Sequence, residues 1–361
     1  MTKKMDANLA VFAEQILQAQ SAGQPLVIQG GGSKRFYGEQ NQTGNVLSTL
    51  RFSGIVGYEP SELVITAKCG TPLAEIEQTL AQQGQMLGFE PPHFGPNATI
   101  GGCVSAGLSG PRRAAAGAVR DFVLGAQLLN AGGEHLNFGG QVMKNVAGYD
   151  VSRLLCGAMG TLGLITQVSL KVLPVPIAQQ TRAIETNQTQ ALTLMNQWAG
   201  QPLPISASTW VSGHLFIRLS GSQVAIDSAS KVVQGELLAN ADSFWTSVRE
   251  QTHVFFQGQG DLWRVSVPSV APAIDAHEPT LIEWNGAQRW FIADGDINEA
   301  QSIRKQAKQL GGHAQLFKTS QVDSVPRFET PSDGVMQLNR AMKSKFDPQG
   351  IFNPGRMFAT I

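Results

Sequence analysis

The alternation of apolar and polar residues is clearest between Leu164 and Val172. The even-numbered positions hold Leu, Thr, Val, Leu and Val, and the odd-numbered positions hold Ile, Gln, Ser and Lys. A period of two residues predicts a half-buried strand with one apolar face. The apolar run 25–29 predicts another short buried strand, and the segments 125–130 and 134–138 around Ala-Gly-Gly predict a β-hairpin. The first part of the chain is therefore predicted to be rich in strands.

A helical period replaces this alternation just after residue 72. Leu73, Ile76 and Leu80 fall on one face of a helix, Pro72 stands in its first turn and Gly84 follows its last turn. This segment is predicted to be an amphipathic helix.

The order of elements changes after about residue 178. Helices are predicted over 191–198, 228–238 and 298–310, and strands over 208–210, 215–219, 263–267, 281–283 and 289–292. The glutamine- and threonine-rich stretch up to residue 190 follows two prolines and is interpreted as a linker or an edge element. This mixed order favours an antiparallel sheet with helices on one face.

The predicted strand at 25–29 continues directly into Gly-Gly-Gly-Ser-Lys-Arg at 30–35. A glycine run after a strand can form a nest of backbone N–H groups that binds an anion, and Ser33 and Lys34 add a hydroxyl and a positive charge. The alternative is a tight glycine turn at the surface. A P-loop is excluded because Ser33 precedes Lys34, and the Rossmann pattern is excluded because Arg35 stands at the third glycine position.

Two further segments are rich in glycine. Residues 96–102 read Pro-Asn-Ala-Thr-Ile-Gly-Gly, and residues 157–166 hold three glycines before the predicted strand. Thr99 is a good N-cap, so residues 100–102 would open a helix whose free N–H groups face a ligand. Glycine also lets the backbone approach a ligand closely. Together the three segments predict a site for an anionic diphosphate.

Composition excludes several classes of protein. The 361 residues carry 27 basic and 27 acidic side chains, and no basic stripe is present that would suit nucleic acid. The segment 1–20, interrupted by Asp6 and Glu14, predicts an amphipathic helix rather than a signal peptide. No run of 18 apolar residues occurs, so we expect a soluble protein without a membrane span. The length favours two domains.

The cysteines and histidines do not predict a metal site. Cys69, Cys103 and Cys156 are far apart, and an odd number of cysteines favours reduced thiols in the cytosol. They lack the clustering that an iron–sulfur site needs, and the six histidines show no metal-ligand spacing. Any redox chemistry would therefore need an organic cofactor.

The order and separation of the glycine segments resemble the FAD-binding domain of the vanillyl-alcohol oxidase/p-cresol methylhydroxylase (PCMH) superfamily. Further motifs are 53–73, 90–95 (Glu-Pro-Pro-His-Phe-Gly), 109–113 (Ser-Gly-Pro-Arg-Arg), 119–125, 143–150 (Met-Lys-Asn-Val-Ala-Gly-Tyr-Asp) and the tail 345–357. In combination they are similar to the smaller FAD-binding subunits of bacterial glycolate oxidase (glycolate dehydrogenase).

The resemblance implies an α+β fold. It places a PCMH-type FAD-binding domain, made of two subdomains, at 1–175. A smaller αβ cap-like domain with an antiparallel sheet would follow at 176–334 and would bind the substrate or a partner. A C-terminal helix and tail, 335–361, would return to the FAD domain.

The resemblance also implies FAD as the cofactor. The first glycine loop contains no histidine that could bond the flavin, so we expect noncovalent binding. The implied FAD-binding residues are Gly30, Gly31, Gly32, Ser33, Lys34, Pro96, Asn97, Thr99, Ile100, Gly101, Gly102, Gly157, Gly160, Thr161, Gly163 and Ile165.

As to function, the resemblance implies the FAD-binding subunit of a multi-subunit complex that oxidises glycolate, a small 2-hydroxy acid, to glyoxylate. This subunit would relay electrons from a catalytic FAD subunit to an iron–sulfur subunit. We expect a cytoplasmic location, with attachment to the inner membrane through partners. The alternatives are a structural subunit with a vestigial flavin site and a stand-alone FAD-dependent 2-hydroxy-acid dehydrogenase.

Catalysis on a 2-hydroxy acid needs a base for the hydroxyl proton and a cation for the carboxylate. His93 and Arg112 are the candidates; the alternatives are a histidine that binds loop backbone and an arginine in a solvated or interface cluster. The second half lacks the His-x-Gly-Asp-Gly-Asn-type segment of catalytic relatives, and His214 and His313 stand alone there. No catalytic base is therefore assigned.

All six tryptophans lie in the second half of the chain. Core packing is the first interpretation, because large aromatic side chains dominate core burial. A partner surface is the alternative, because tryptophan is enriched in interface hot spots.

Overall fold

The computed structural model describes residues 6–40, 43–140, 150–274, 280–293, 296–320 and 325–361. Its α-helices are α1 (Ala7–Ala22), α2 (Leu73–Ala81), α3 (Ile100–Ala106), α4 (Arg113–Ala116), α5 (Val119–Phe122), α6 (Val151–Leu154), α7 (Gln188–Ala199), α8 (Gln223–Ser230), α9 (Ala241–Arg249), α10 (Ile297–Gln309) and α11 (Asp333–Phe346). Its strands are β1 (Leu26–Gln29), β2 (Asn45–Ser48), β3 (Ile55–Glu59), β4 (Val64–Lys68), β5 (Gln85–Met86), β6 (Val123–Leu129), β7 (His135–Gly139), β8 (Leu164–Lys171), β9 (Leu173–Pro174), β10 (Ala178–Glu185), β11 (Ile205–Val211), β12 (His214–Gly221), β13 (Glu236–Leu237), β14 (Asp261–Ser266), β15 (Thr280–Glu283), β16 (Gln288–Ala293) and β17 (His313–Lys318).

A five-stranded antiparallel sheet, in the order β3-β4-β8-β6-β7, forms the centre of the first half. The predicted hairpin is confirmed as β6 and β7. The prediction of a half-buried β8 is wrong, because Ile165 and Ser169 are buried as well as Leu164 and Val168. The reason is its position: β8 lies between β4 and β6, and α3 packs against it.

The carboxyl-terminal tail closes this half of the molecule. β1 and β2 pair in parallel, and Phe352 forms a bridge to Leu26. The Leu26 N–H donates to the carbonyl of Ile351 at 2.7 Å. Residues from both ends of the chain therefore meet beside the first glycine segment.

The second half is an eight-stranded sheet in the order β13-β10-β12-β11-β15-β16-β14-β17, and every pair is antiparallel. Two apolar clusters separate it from α7, α8 and α10. A further cluster joins Trp290 and Phe317 of this sheet to Tyr37, Leu108 and Met159 of the first half. This apolar cluster holds the two halves of the molecule together.

Two predictions for the second half are corrected. The stretch taken for a linker or edge element is β10, which pairs with both β12 and β13. The helix predicted over 228–238 is wrong: α8 ends at Ser230, and residues 236–237 form β13. All six tryptophans are buried, which agrees with core packing.

Candidate functional site

The glycine cleft opens beside the end of β1 and continues into a smaller space. The turn 30–35 forms one wall, and Thr99, Gly102 and Ser105 form the opposite wall. The smaller space extends towards Gly160, Gly163 and Ile165. The cleft thus collects parts of all three glycine-rich segments.

Residues 30–34 line this cleft with five successive backbone N–H groups in their turn. None of them donates a hydrogen bond to an acceptor among the described residues. The next N–H that does so is that of Arg35, which donates to the carbonyl of Gly32 at 3.1 Å. A row of unpaired donors in a turn forms a concave site with a positive potential. This nest is suited to an anionic group.

Gly30 and Gly31 must be glycines because the first glycine-rich segment packs closely against the second. A Cβ on Gly31 would lie 1.4 Å from the carbonyl oxygen of Asn97, and a Cβ on Gly30 would lie 2.4 Å from Oγ1 of Thr99. Gly32 has a φ of 74°, which favours glycine. A larger residue at these positions would therefore prevent the backbone packing on which the nest depends.

The N–H groups at the start of α3 are hydrogen-bonded, whereas the sequence predicts that they are free. Thr99 is the N-cap as predicted, and its Oγ1 accepts from the N–H of Gly102 at 3.3 Å. The N–H groups of Ile100 and Gly101 donate to the carbonyls of Thr71 and Cys69, each at 2.9 Å. These donors are already used, so the N–H groups that remain unpaired beside the cleft are those of the first loop.

Two residues of the tail were missed by the sequence interpretation. The side chain of Asn353 accepts from the N–H of Ile28 at 2.8 Å and donates to the carbonyl of Met159 at 2.6 Å. It joins β1 to the third glycine segment and lines the cleft. The tail 345–357 was recognised as a family motif, but its spatial neighbours cannot be read from sequence.

Arg356 holds the loop that follows the nest. Its guanidinium donates to the carbonyls of Lys34 (3.3 Å), Arg35 (2.9 Å), Tyr37 (2.5 Å) and Glu39 (3.2 Å). Burial lowers the pKa of Arg356 to about 10, so the side chain is still positive at neutral pH. A fixed positive charge therefore lines the cleft next to the nest.

The ammonium group of Lys34 is not placed with the N–H groups of the nest, where the sequence predicts it. Its Nζ donates to the carbonyl of His93 at 3.2 Å and lies 5.6 Å from the ring of Phe94. Burial lowers the pKa of this amine. Its backbone N–H, rather than its ammonium group, belongs to the nest.

The predicted FAD-binding residues divide into two sets. Those that line the cleft are Gly30, Gly31, Gly32, Ser33, Lys34, Thr99, Gly101, Gly102, Gly160, Gly163 and Ile165. Those that do not line it are Pro96, Asn97, Ile100, Gly157 and Thr161. Ile100 is a core residue, and the carbonyl of Thr161 accepts from Nζ of Lys343 at 2.7 Å. In the second set, Asn97 packs against Gly31 of the first loop.

His93 lies outside the glycine cleft. Its Nε2 is 3.1 Å from Oε2 of Glu77, and its backbone N–H donates to the carboxylate of Glu250. Glu250 also accepts from the N–H of Phe94 at 2.8 Å. The imidazole of His93 is thus beside a carboxylate, and its backbone is held by Glu250.

Arg112 is engaged in a buried ionic network. Its Nε donates to Glu90 at 3.2 Å, and Glu90 also accepts from Nη2 of Arg218 on β12 at 2.8 and 2.9 Å. Arg112 donates further to Gln179 on β10 at 3.2 Å. Burial raises the pKa of Glu90, but the two arginines outweigh it and the net shift is downwards. Arg112 therefore joins the two halves of the molecule and is not free for a substrate carboxylate.

Some features fall outside the described residues or are not found within them. Residues 143–149 of the motif 143–150 lie outside the described ranges. Among the described residues, no cluster of three potential metal ligands is found. No helix in these ranges combines the length and the apolar character that a membrane crossing requires.

Comparisons with known proteins agree with this geometry. Residues 10–139 match the model of a FAD binding domain. The whole chain is 44% identical to the glycolate oxidase subunit GlcE of Escherichia coli, with all of both chains covered. It is 26% identical to the glycolate oxidase subunit GlcD of Bacillus subtilis, over 93% of this chain and 84% of that protein.

More distant relatives share the fold. A D-lactate dehydrogenase of Archaeoglobus fulgidus is 24% identical, over 92% of this chain and 86% of that protein. Among solved structures, an alkyldihydroxyacetonephosphate synthase superposes with a TM-score of 0.66 at 16% identity, over 95% of this chain and 75% of that one. The expected α+β fold of the PCMH type is thereby confirmed.

Proposed function

Because the chain belongs to the family of the glycolate oxidase subunit GlcE, we propose that it is the FAD-binding subunit of a multi-subunit oxidase that converts glycolate to glyoxylate. The observation that carries the proposal is the row of N–H groups at 30–34, beside the glycine cleft, that donate no hydrogen bond within the described residues. FAD is the cofactor that its FAD binding domain predicts.

The residues of the cleft fit the diphosphate of FAD. The nest supplies N–H donors, Arg356 supplies a fixed positive charge, and Gly102 leaves the opposite wall open, since a Cβ there would meet only Oγ1 of Thr99, at 3.2 Å. When bound, FAD supplies the hydride and electron chemistry. The chain binds and orients the cofactor and excludes water from it.

We propose that FAD is bound noncovalently. No histidine lines the cleft within the described ranges. Cys69 lines the smaller space, but burial raises the pKa of its thiol to about 12, so it is not a nucleophile at neutral pH.

We further propose that this subunit relays electrons between a catalytic FAD subunit and an iron–sulfur subunit. In support, His93 and Arg112 are both engaged in structural contacts, and the three cysteines are free and isolated. Residues 1–175 would form the FAD domain, 176–334 the partner-binding domain and 335–361 the returning tail. The isolated thiols favour the cytosol, and partners would provide attachment to the inner membrane.

Rapid mixing with glycolate tests this role. The isolated, flavin-loaded subunit should be reduced by glycolate far more slowly than the complete complex turns over. Reduction at the turnover rate would show that this subunit oxidises the substrate itself, and the relay role would be wrong.

A further inference from the structure

Arg35 is an exposed arginine on the wall of the glycine cleft. Its backbone is fixed, because its carbonyl accepts from Nε2 of Gln40 at 3.0 Å and from Nη2 of Arg356 at 2.9 Å. Its guanidinium, in contrast, makes no hydrogen bond and no ion pair within the described part of the chain. The FAD-binding residues that the resemblance implies do not include Arg35, and the fold does not use its charge.

The side chain of Arg35 lies against the nest. A Cβ on Gly32 would lie 3.7 Å from Cδ and 3.9 Å from Cγ of Arg35. Gly32 is the third glycine of the first loop, and its N–H is one of the five that donate no hydrogen bond in the described ranges. The guanidinium, which is attached at Cδ, is therefore next to the unpaired N–H groups.

Arg356 brings a second positive charge to the same place. Burial, followed by the charge of Arg35, lowers the pKa of Arg356, and Glu39 opposes this shift. Glu39 is not part of the cleft wall, and of the residues that the structure describes, no aspartate or glutamate lines either part of the cleft. Two neighbouring positive charges repel each other. An anionic ligand in the cleft would relieve this repulsion.

We propose that Arg35 is a further cofactor-binding residue, which together with Arg356 supplies the positive charge for the diphosphate of FAD. A guanidinium offers a planar set of donors that matches two phosphate oxygens. Arg35 thus takes the role that the sequence predicts for Lys34, whose ammonium group donates to the carbonyl of His93 instead. The identity of the ligand rests on the proposed function, whereas the unpaired charge beside the nest does not.

Titration of the flavin-depleted full chain with FAD tests the role of Arg35. Arg35→Gln should weaken FAD binding about tenfold, because a charge-assisted hydrogen bond to a phosphate is lost. Arg35→Lys keeps the charge without the planar donors and should lose less affinity. Arg51→Gln, which removes another exposed arginine outside the cleft, should bind FAD as wild type does. Unchanged FAD affinity in Arg35→Gln would overturn the proposal.

Salt dependence and stability distinguish an electrostatic role from a structural one. Salt screens the attraction between an exposed arginine and a phosphate, so FAD affinity should fall less steeply with ionic strength in Arg35→Gln than in wild type. Unfolding of the flavin-free chain should be unchanged in Arg35→Gln, because the side chain is exposed and unpaired. Equal salt dependence in the two chains, or a loss of stability as large as the loss of affinity, would contradict the proposal.

The behaviour of wild type separates this inference from the proposed function. If wild type binds FAD and Arg35→Gln binds it equally well, only the role of Arg35 is wrong. If wild type binds no FAD, the proposed function is wrong and the role of Arg35 is wrong with it.

Discussion

Gly101 and Gly102 are adjacent in sequence but have opposite surroundings. A Cβ on Gly101 would lie 2.7 Å from Cβ and 2.8 Å from the carbonyl oxygen of Cys69. Among the described residues, a Cβ on Gly102 would meet only Oγ1 of Thr99, at 3.2 Å. Gly102 lines both parts of the glycine cleft. Gly101 is therefore needed for packing, and Gly102 for access to the cleft.

The two alanine variants should separate these roles. Gly101→Ala should lower the free energy of unfolding by about 1–3 kcal/mol, because the backbone must move to relieve the clash. Gly102→Ala should leave the unfolding free energy close to wild type and weaken FAD binding. Urea unfolding of the flavin-free chain and titration with FAD measure the two effects. Equal loss of stability in both variants would contradict the assignment.

Glu283 should make stability depend on pH. Burial raises its pKa from 4.5 to about 7, although Trp290, Gln288 and Arg264 partly oppose this shift. Between these values the folded chain keeps a proton that the unfolded chain has released, so stability falls as pH rises from 4.5 to 7. The full change in the free energy of unfolding over this pH range is of the order of 3 kcal/mol.

Glu283→Gln should remove this dependence while keeping the shape of the side chain. The quantity to measure is the difference in unfolding free energy between wild type and variant across that pH range. A difference that does not change with pH would show that Glu283 titrates normally.

At the scale of elements, the tail after α11 positions the first glycine loop. Arg356 donates to four carbonyls between residues 34 and 39, and Asn353 holds β1. Lys343 of α11 in turn donates to Asp347 at 2.7 Å and to the carbonyl of Phe352 at 2.8 Å. The nest is thus supported by a segment more than 300 residues away in the chain.

Arg356→Met should release this loop. Leaving partly buried carbonyls without donors should cost about 1 kcal/mol or more of stability, and FAD binding should weaken because the nest is no longer held. Arg340→Met, an exposed change on α11, is the matched control. Thermal unfolding and FAD titration measure both variants, and unchanged FAD affinity in Arg356→Met would disprove the role of the tail.

Elements with strong periodicity were predictable, and those stabilised by their neighbours were not. The helix α2 and the hairpin β6–β7 follow directly from apolar spacing and glycine turns. β10 is rich in polar residues and is a strand only because β12 and β13 pair with it. The nest was predictable because its residues are contiguous, whereas Asn353 and Arg356 reach the cleft only through tertiary structure.

At the scale of the whole molecule, Glu90 links the two halves. It accepts hydrogen bonds from Arg112 in the first half and from Arg218 of the eight-stranded sheet. The two arginines are 7% and 4% exposed, so each depends on this carboxylate. Glu90 is therefore the shared acceptor of the ionic network between the two halves.

Glu90→Gln should destabilise the junction strongly. Removing one partner from a buried ionic network typically costs about 3–5 kcal/mol, because the remaining charges stay buried. Glu75→Gln, an exposed change on α2, should alter stability by less than about 0.5 kcal/mol. Calorimetry should show an unfolding transition at a lower temperature, or two separate transitions, for Glu90→Gln and not for Glu75→Gln. A transition like that of wild type would show that the network does not join the halves.

The visible spectrum of the purified chain, followed by acid precipitation, tests the central claim that this subunit holds FAD noncovalently. We expect flavin absorption bands and release of FAD into the supernatant in an amount equimolar with the chain. A chain that stays colourless after incubation with FAD, or flavin that remains in the pellet, would contradict it.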